Sequence, residues 1–395
     1  DPASPVLSSN GEASTTYTAS GCSGTDNITA SVVGASAQAF GSVSIASPAA
    51  NGITFVSAEP SLIVLKGTGG SENRQETSDV VFKVVDRNGS PIQGIRVNFS
   101  LSTDVGGLTL TPFSDVSDDL GQVETTVSSG DVATVVRVIA TVDGGNGEPV
   151  STVSNILTVT TGLPDQNSIS LSVGGGGFVV EDGFTRDGVT RTLTVSMADK
   201  FNNPVVDGTA AVFTTEYGAI VGSCTTTDGN CSVEWRSQEP RFPTLSGDDF
   251  VQTIGSSGAT PNDLGYTRGG RSTILVHAIG EESFVDRNGN GIMDESEKDL
   301  FENLPEAFID HNEDGVYTPA LASCQASPYG SAQCIAGIEE EFIDFNSNEE
   351  YDFNNDPAWY NGLLCPPEGD GNWCSRELVN VRDDITVILS ADPLW

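Results

Sequence analysis

Val81-Phe82-Lys83-Val84-Val85-Asp86-Arg87-Asn88-Gly89-Ser90-Pro91-Ile92-Gln93-Gly94-Ile95-Arg96-Val97-Asn98-Phe99 alternates apolar and polar side chains on both sides of a turn. A period of two puts one face of a strand inward and the other in solvent, so residues 80–85 and 96–101 read as half-buried strands. Asp-Arg-Asn-Gly between them supplies positive-φ turn positions. The stretch returns as Leu193-Thr194-Val195-Ser196-Met197-Ala198-Asp199-Lys200-Phe201-Asn202-Asn203-Pro204, with Asp86 and Asp199 113 residues apart.

Two further landmarks repeat at a similar spacing. Asn10-Gly11-Glu12, Leu120-Gly121-Gln122 and Asp228-Gly229-Asn230 each open a Thr/Val-rich run, and their glycines lie 110 and 108 residues apart. A third run recurs as Ile28–Val32, Val138–Val142 and Val276–Ile279. Agreement of three landmarks on one period points to tandem domains. Short β-rich runs separated by Gly, Asn, Asp and Pro give each unit the pattern of an antiparallel sandwich. The expected fold is all-β: a partial unit at residues 1–50, a complete one at 51–160, and a third at 161–395 interrupted at about 281–377. Residues 1–50 hold only the later strands of a unit. That predicts either a fragment of a longer array or completion by an edge strand of another chain. The start at Asp1, with neither Met nor a signal peptide, also fits a mature or cut-out piece.

The pattern Val84-Val85-Asp86 through Gly89, Pro91, Gly94, Val97 and Phe99, followed by Gly121–Gly130 and Val136–Val142, resembles the bacterial Ig-like domain of group one, the repeat of the invasin and intimin adhesins. The resemblance covers most of 51–160 and the sandwich portions of 161–280 and 378–395. It implies a non-enzymatic structural or adhesive rod on the outer surface of a bacterium or secreted from it. Its partners would be a cell-surface protein or glycan, or neighbouring copies of the same chain. No motif of the lectin-like tip of those adhesins is present, so their receptor binding does not carry over.

Composition narrows the function. The 395 residues carry 55 Asp plus Glu against 17 Lys plus Arg, a formal net charge of -38. Double-stranded nucleic acid and anionic membrane surfaces, which need a basic footprint, are poor partners. No run approaches the ~20 apolar residues of a membrane-spanning helix. Only His277 and His311 are available for histidine chemistry. No Gly-x-Ser-x-Gly elbow, Walker loop or dinucleotide fingerprint occurs. His277 reads as a packed strand residue, and His311 as a side chain pointing outward from a loop.

The charge is concentrated. Residues 281–377 hold 23 Asp plus Glu against three basic residues, Arg287, Lys298 and Arg376, a balance of -20. Carboxylates this dense repel one another unless cations screen them. Asp286-Arg287-Asn288-Gly289-Asn290-Gly291-Ile292-Met293-Asp294-Glu295-Ser296-Glu297 fits the twelve-residue EF-hand calcium loop. Asp286, Asn288 and Asn290 supply side-chain oxygens, Gly291 the sharp turn, Ile292 a carbonyl, Asp294 the ninth position and Glu297 the bidentate twelfth. Ser296–Asn303 reads as an exiting helix, while the preceding Ile274–Ile279 reads as strand.

Two weaker copies follow. Asp310, Asn312 and Asp314, with Gly315 and the carbonyl of Val316, meet the early positions, but Leu321 stands at the twelfth. The missing carboxylate is expected from Glu302, Glu306 or Glu339–Glu341. Asp344, Asn346, Asn348, the carbonyl of Glu350, and Asp352 form the third, with Glu349 where the turn glycine belongs. Calcium is thus the expected cofactor, at one site or up to three. A calcium-dependent carbohydrate- or protein-binding module on an Ig-like stalk is the alternative reading, with Tyr351, Phe353, Trp359, Tyr360 and Trp373 as an aromatic cluster.

Six of the seven cysteines fall into close pairs, Cys224 with Cys231, Cys324 with Cys334 and Cys365 with Cys374, which points to disulfides and an oxidising compartment. Exchange of partners among the last four is the other connectivity this spacing permits. Cys22 is left over, either a free buried thiol or half of a pair completed elsewhere.

Overall fold

A computed structural model of the chain describes residues 6, 10–18, 24–45, 50–144, 147–239, 270–311, 313, 315–317, 319, 340–353 and 358–390. The described residues fall into two compact units, one drawn from residues 1–69 and 75–159 and the other from 70–74 and 160–395.

In the first unit, β1 (Gly24–Ser31) and β2 (Gln38–Ile45) form a separate antiparallel hairpin. Then follow β3 (Gly52–Glu59), β4 (Leu62–Val64), β5 (Thr77–Val85), β6 (Arg96–Leu101), β7 (Thr109–Thr111), β8 (Ser114–Val116), β9 (Gln122–Ser128), β10 (Thr134–Val136), β11 (Val138–Asp143), β12 (Pro149–Val153) and β13 (Leu157–Thr160). One four-stranded sheet has the order β3-β5-β9-β7 and a second β12-β11-β6-β8, with a small sheet β10-β13-β4 beside them. The alternation read from residues 80–99 sets the core. Val80, Phe82 and Val84 of β5 are fully buried, and Val97 and Phe99 of β6 are buried as well. Phe82 stacks on Phe99 with ring centroids 5.9 Å apart, which joins the two sheets. The first unit is thus an antiparallel β-sandwich.

The second unit repeats the plan with β14 (Ile169–Val173), β15 (Val179–Val180), β16 (Thr190–Met197), β17 (Ala210–Thr215), β18 (Ala219–Ile220), β19 (Ser223–Thr225), β20 (Asn230–Arg236), β21 (Arg271–Gly280), β22 (Tyr360–Asn361), β23 (Cys374–Ser375) and β24 (Val379–Leu389). Its sheets run β14-β16-β20-β18 and β15-β24-β21-β17-β19. Leu193, Val195, Val233, Trp235, Ile274, Val276, Val381 and Val387 fill the space between them. Trp235 is fully buried, and its indole N–H donates to Thr215 Oγ1 and to the Tyr217 carbonyl, both at 3.0 Å. The Cys224–Cys231 disulfide links β19 of one sheet to β20 of the other.

One pairing positions everything between residues 281 and 378. β21 and β24 are antiparallel over ten residue pairs, ending with Gly280 opposite Val379. The acidic segment therefore leaves and re-enters the sheet at neighbouring residues. A long excursion between paired strands adds only slowly to the closure entropy, so the sandwich tolerates it.

The repeat glycines have a shared reason. Gly121 (φ 74°) lies where a Cβ would come within 2.6 Å of the Val84 carbonyl oxygen, and Gly229 (φ 72°) where one would come within 2.7 Å of the Met197 carbonyl oxygen. Gly11 has the same φ sign but nothing within 4 Å. Replacing Gly121 or Gly229 by Ala combines left-handed strain of ~1–2 kcal/mol with a backbone clash. Thermal denaturation is expected to show a loss of ~2 kcal/mol or more for either variant, and of only ~1 kcal/mol for Gly11→Ala.

Candidate metal-binding loops of the acidic insertion

The insertion is rooted by two consecutive buried glutamates at the end of β21. Glu281 Oε2 accepts from the Leu363 N–H at 2.9 Å and from the Tyr360 hydroxyl at 3.2 Å. Glu282 Oε1 accepts from the Leu304 N–H at 2.9 Å, and its Oε2 from the Asn361 N–H at 2.7 Å. Each carboxylate thus ties chain segments far apart in sequence. Burial pushes the Glu281 carboxyl up to about 7. Hydrogen bonds from Thr161, Leu363 and Tyr360 oppose that shift, and the neighbouring Asp165 adds to it. Lys200 spans the same region, with Nζ donating to the Phe284 carbonyl and lying 4.0 Å from the centre of the Phe284 ring.

The first loop is organised by its own side-chain oxygens. Asp286 accepts from the N–H groups of Gly289 (2.7 Å) and Gly291 (2.9 Å), Asn288 from Asn290 (2.9 Å), and Asn290 from Ile292 (3.0 Å). Asp294 Oδ2 accepts from the side-chain amides of Asn288 and Asn290. Glu297, only 1% exposed, accepts from Arg287 N–H at 2.6 Å and Asp294 N–H at 3.3 Å. With both amides donating to Asp294, the carboxylates are not drawn together. Among the described residues no three His, Cys, Asp or Glu side chains form a metal-sized group. The exit differs from the expected helix. A single 3-10 turn, Glu295–Glu297, is followed by an antiparallel bridge between Phe301 and Phe284, so the chain doubles back instead of coiling onward.

The third loop repeats this arrangement atom for atom. Asp344 accepts from Asn348 (3.1 Å) and Glu349 (2.9 Å), Asn346 from Asn348 (3.0 Å), and Asn348 from Glu350 (2.7 Å). Asp352 Oδ2 accepts from the amides of Asn346 (2.5 Å) and Asn348 (2.9 Å). The part played by Glu297 falls to Glu306, 9% exposed. It accepts from Phe345 N–H at 2.8 Å and Asp352 N–H at 3.2 Å. In the second loop Asp310 accepts from Gly315 N–H at 2.7 Å, and His311 N–H donates to Glu340, 1% exposed, at 3.0 Å. Asn312 and Asp314 of that loop lie outside the described residues, as do Cys22, Cys324 and Cys334.

One backbone trace is common to all three loops. The fourth and sixth residues have positive φ: Gly289 and Gly291, Glu313 and Gly315, Ser347 and Glu349. Glu349 takes the turn conformation of the glycine it replaces. Side chains at this φ cost ~1–2 kcal/mol, and residues that accept it cluster where function demands the geometry.

Of the glutamates expected to complete the second loop, the structure sets Glu340 there. It gives Glu306 to the third loop and Glu302 to neither. A signal for this lies in the sequence: Glu306-Ala307-Phe308-Ile309-Asp310 and Glu340-Glu341-Phe342-Ile343-Asp344 are copies 34 residues apart, and Glu282-Ser283-Phe284-Val285-Asp286 is a third. The second and third copies pair, with Ile309 N–H donating to Glu341 O (2.8 Å) and Ile343 N–H to Ala307 O (2.7 Å). Ala307, Ile309 and Ile343 pack on Leu275 of β21, and Tyr317 stacks on Tyr351 with centroids 3.8 Å apart.

His311 does not point outward. It is buried, with Nδ1 2.9 Å from Glu216 Oε1, and although burial lowers its pKa, Glu216 raises it more. Its loop is also held to β21 by Arg271, which pairs with Glu313. His277 lies in β21 with Nδ1 3.3 Å from Asn380 Oδ1. The expected aromatic cluster is divided. Tyr351 and Phe353 join Tyr317, Tyr360 packs on Phe284, and Trp373 donates its indole N–H to the Met293 carbonyl. The Cys365–Cys374 disulfide closes the last part of the insertion.

Residues 70–155 match the family model of the bacterial Ig-like domain (group 1). Among solved structures, the D0–D1 domain of intimin is 17% identical, with 58% of this chain and 91% of that chain covered and a TM-score of 0.23. InvD of Yersinia pseudotuberculosis is 18% identical, with 71% and 65% covered and a TM-score of 0.28. FdeC, an Escherichia coli adhesin, is 17% identical, with 64% and 69% covered and a TM-score of 0.29. The chain thus spans just under two thirds of the InvD structure. No curated protein matches the chain. Among the described residues no helix is long and apolar enough to cross a membrane.

The raised Glu281 carboxyl gives a pH signature. Its folded value of about 7 exceeds the ordinary 4.5, so the stabilisation it carries is complete below pH 4.5 and is lost as pH rises through 7. Glu281→Gln, which mimics the protonated form, is expected to gain stability over the parent on going from pH 4.5 to pH 8, by up to ~3 kcal/mol at ~1.4 kcal/mol per pH unit. Denaturant titrations of both chains at the two pH values check this.

Proposed function

We propose, from the premise that this chain carries a group 1 bacterial Ig-like domain at residues 70–155, that it is a non-enzymatic extracellular structural and adhesive protein. Calcium bound in its acidic insertion stabilises it. The sandwiches act as spacers. The insertion presents a surface for contact with a cell-surface protein or glycan, or with neighbouring copies. No turnover is involved.

The observation that carries the calcium reading is Glu297. It is a buried carboxylate at the twelfth position, without a Lys or Arg in salt-bridge distance among the described residues. A buried anion without a counter-charge is costly. The donor set around it is all hard oxygen, the chemistry calcium prefers at six to eight ligands. Asp286, Asn288, Asn290, the Ile292 carbonyl, Asp294 and Glu297 would hold the first ion. Asp310, Asn312, Asp314 and the Val316 carbonyl would contribute to the second, and Asp344, Asn346, Asn348, the Glu350 carbonyl and Asp352 to the third. The ion would supply positive charge and rigidity, with folding and binding linked.

Calorimetry of the full chain in calcium and in EGTA tests this. An ion present at about 100 times its dissociation constant adds ~2.7 kcal/mol per site. The transition of the second unit is expected to rise in calcium, and Glu297→Gln to lose part of the gain. Equal melting in calcium and EGTA would refute the reading.

A further inference from the structure

We infer that the second and third loops form one coupled two-ion unit, in which each ion receives its bidentate carboxylate from the arm leading into the other loop. The inference rests on the calcium reading above and names how those sites are regulated. Glu306 stands four residues before Asp310, yet its carboxylate accepts from Phe345 and Asp352 N–H groups, the second and ninth positions of the loop that begins at Asp344. In the first loop the corresponding acceptor of the second and ninth N–H groups, Arg287 and Asp294, is Glu297 at the twelfth position. Glu306 thus occupies the twelfth-position role in a loop 38 residues downstream. The reverse holds for Glu340, four residues before Asp344, which accepts from His311 N–H in the second position of the loop that begins at Asp310.

The exchange has a mechanical consequence. The two arms are hydrogen-bonded to each other through Ile309 and Ile343, with Phe308 opposite Phe342. An ion in the third loop fixes Glu306, and with it the arm that sets the position of Asp310. An ion in the second loop fixes Glu340, and with it the arm that sets the position of Asp344. Each ion therefore organises the other's site before it is filled, which is positive cooperativity, equal in both directions by linkage. The first loop, completed by its own Glu297, stands outside the pair and binds independently.

Calorimetric titration of the calcium-depleted full chain with calcium chloride decides the matter, with Glu306→Gln as the variant. The parent chain is expected to show one independent ion and two cooperative ones. Glu306→Gln is expected to weaken the third-loop ion by at least ~10-fold, the scale for groups that support a metal site. It is also expected to weaken the second-loop ion, none of whose own ligands has changed, while the first-loop ion stays as in the parent. A variant that binds like the parent, or that loses one ion while the other keeps its affinity, overturns the inference and leaves the calcium reading standing. A parent chain that binds no calcium overturns that reading itself. If Glu306→Gln unfolds the insertion, the first-loop ion is lost as well. Glu306→Asp, which keeps the charge and shortens the reach, then decides: selective weakening of the paired ions supports the exchange, and parent-like binding refutes it.

Discussion

Burying carboxylates in a segment almost without cations is the constraint on which the rest of this molecule depends. Between residues 281 and 377, acidic side chains outnumber basic ones 23 to three. Glu281, Glu282, Glu297, Glu306 and Glu340 are nevertheless buried, and each accepts backbone N–H groups from another turn or another segment. These bonds give the insertion its shape where apolar residues are few. They also leave negative charge inside, which is favourable only with cations close by. Calcium in the three loops meets that need, and the same ions would reduce the net charge of -38 where it is densest.

The sandwiches supply the platform. Gly280 opposite Val379 closes the insertion at its base, and Leu275 offers an apolar seat for the paired arms on the outer side of β21. Arg271 with Glu313 and His311 with Glu216 hold the second loop against the same sheet. The loops are therefore anchored to the most extensively paired strands of the second unit.

Much of this was legible in the sequence, and the reason is periodicity. Alternation at 80–85 and 96–101 fixed which faces are buried, and the recurring glycines marked turns that admit no Cβ at Gly121 and Gly229. The early positions of the first and third loops, Asp286, Asn288, Asn290, Asp344, Asn346 and Asn348, show the expected local hydrogen bonds because those bonds span only two to five residues. The partners of Glu306 and Glu340 were not legible. They depend on two arms meeting in space, which a loop template does not encode. The same holds for His311, whose partner Glu216 is 95 residues away. The helix expected over 296–303 failed because Phe301 gains more by pairing with Phe284 than by continuing a short exposed helix.

Hydrogen exchange of the full chain with and without calcium, resolved by peptide, tests the central claim most directly. If ions replace a core in the insertion, chelation speeds exchange at 284–304 and 340–353 by orders of magnitude and leaves Thr77–Val85 and Gln122–Ser128 unchanged. Exchange in the insertion that is equally slow without calcium would contradict the account, since the buried glutamates would then be stable with no cation beside them.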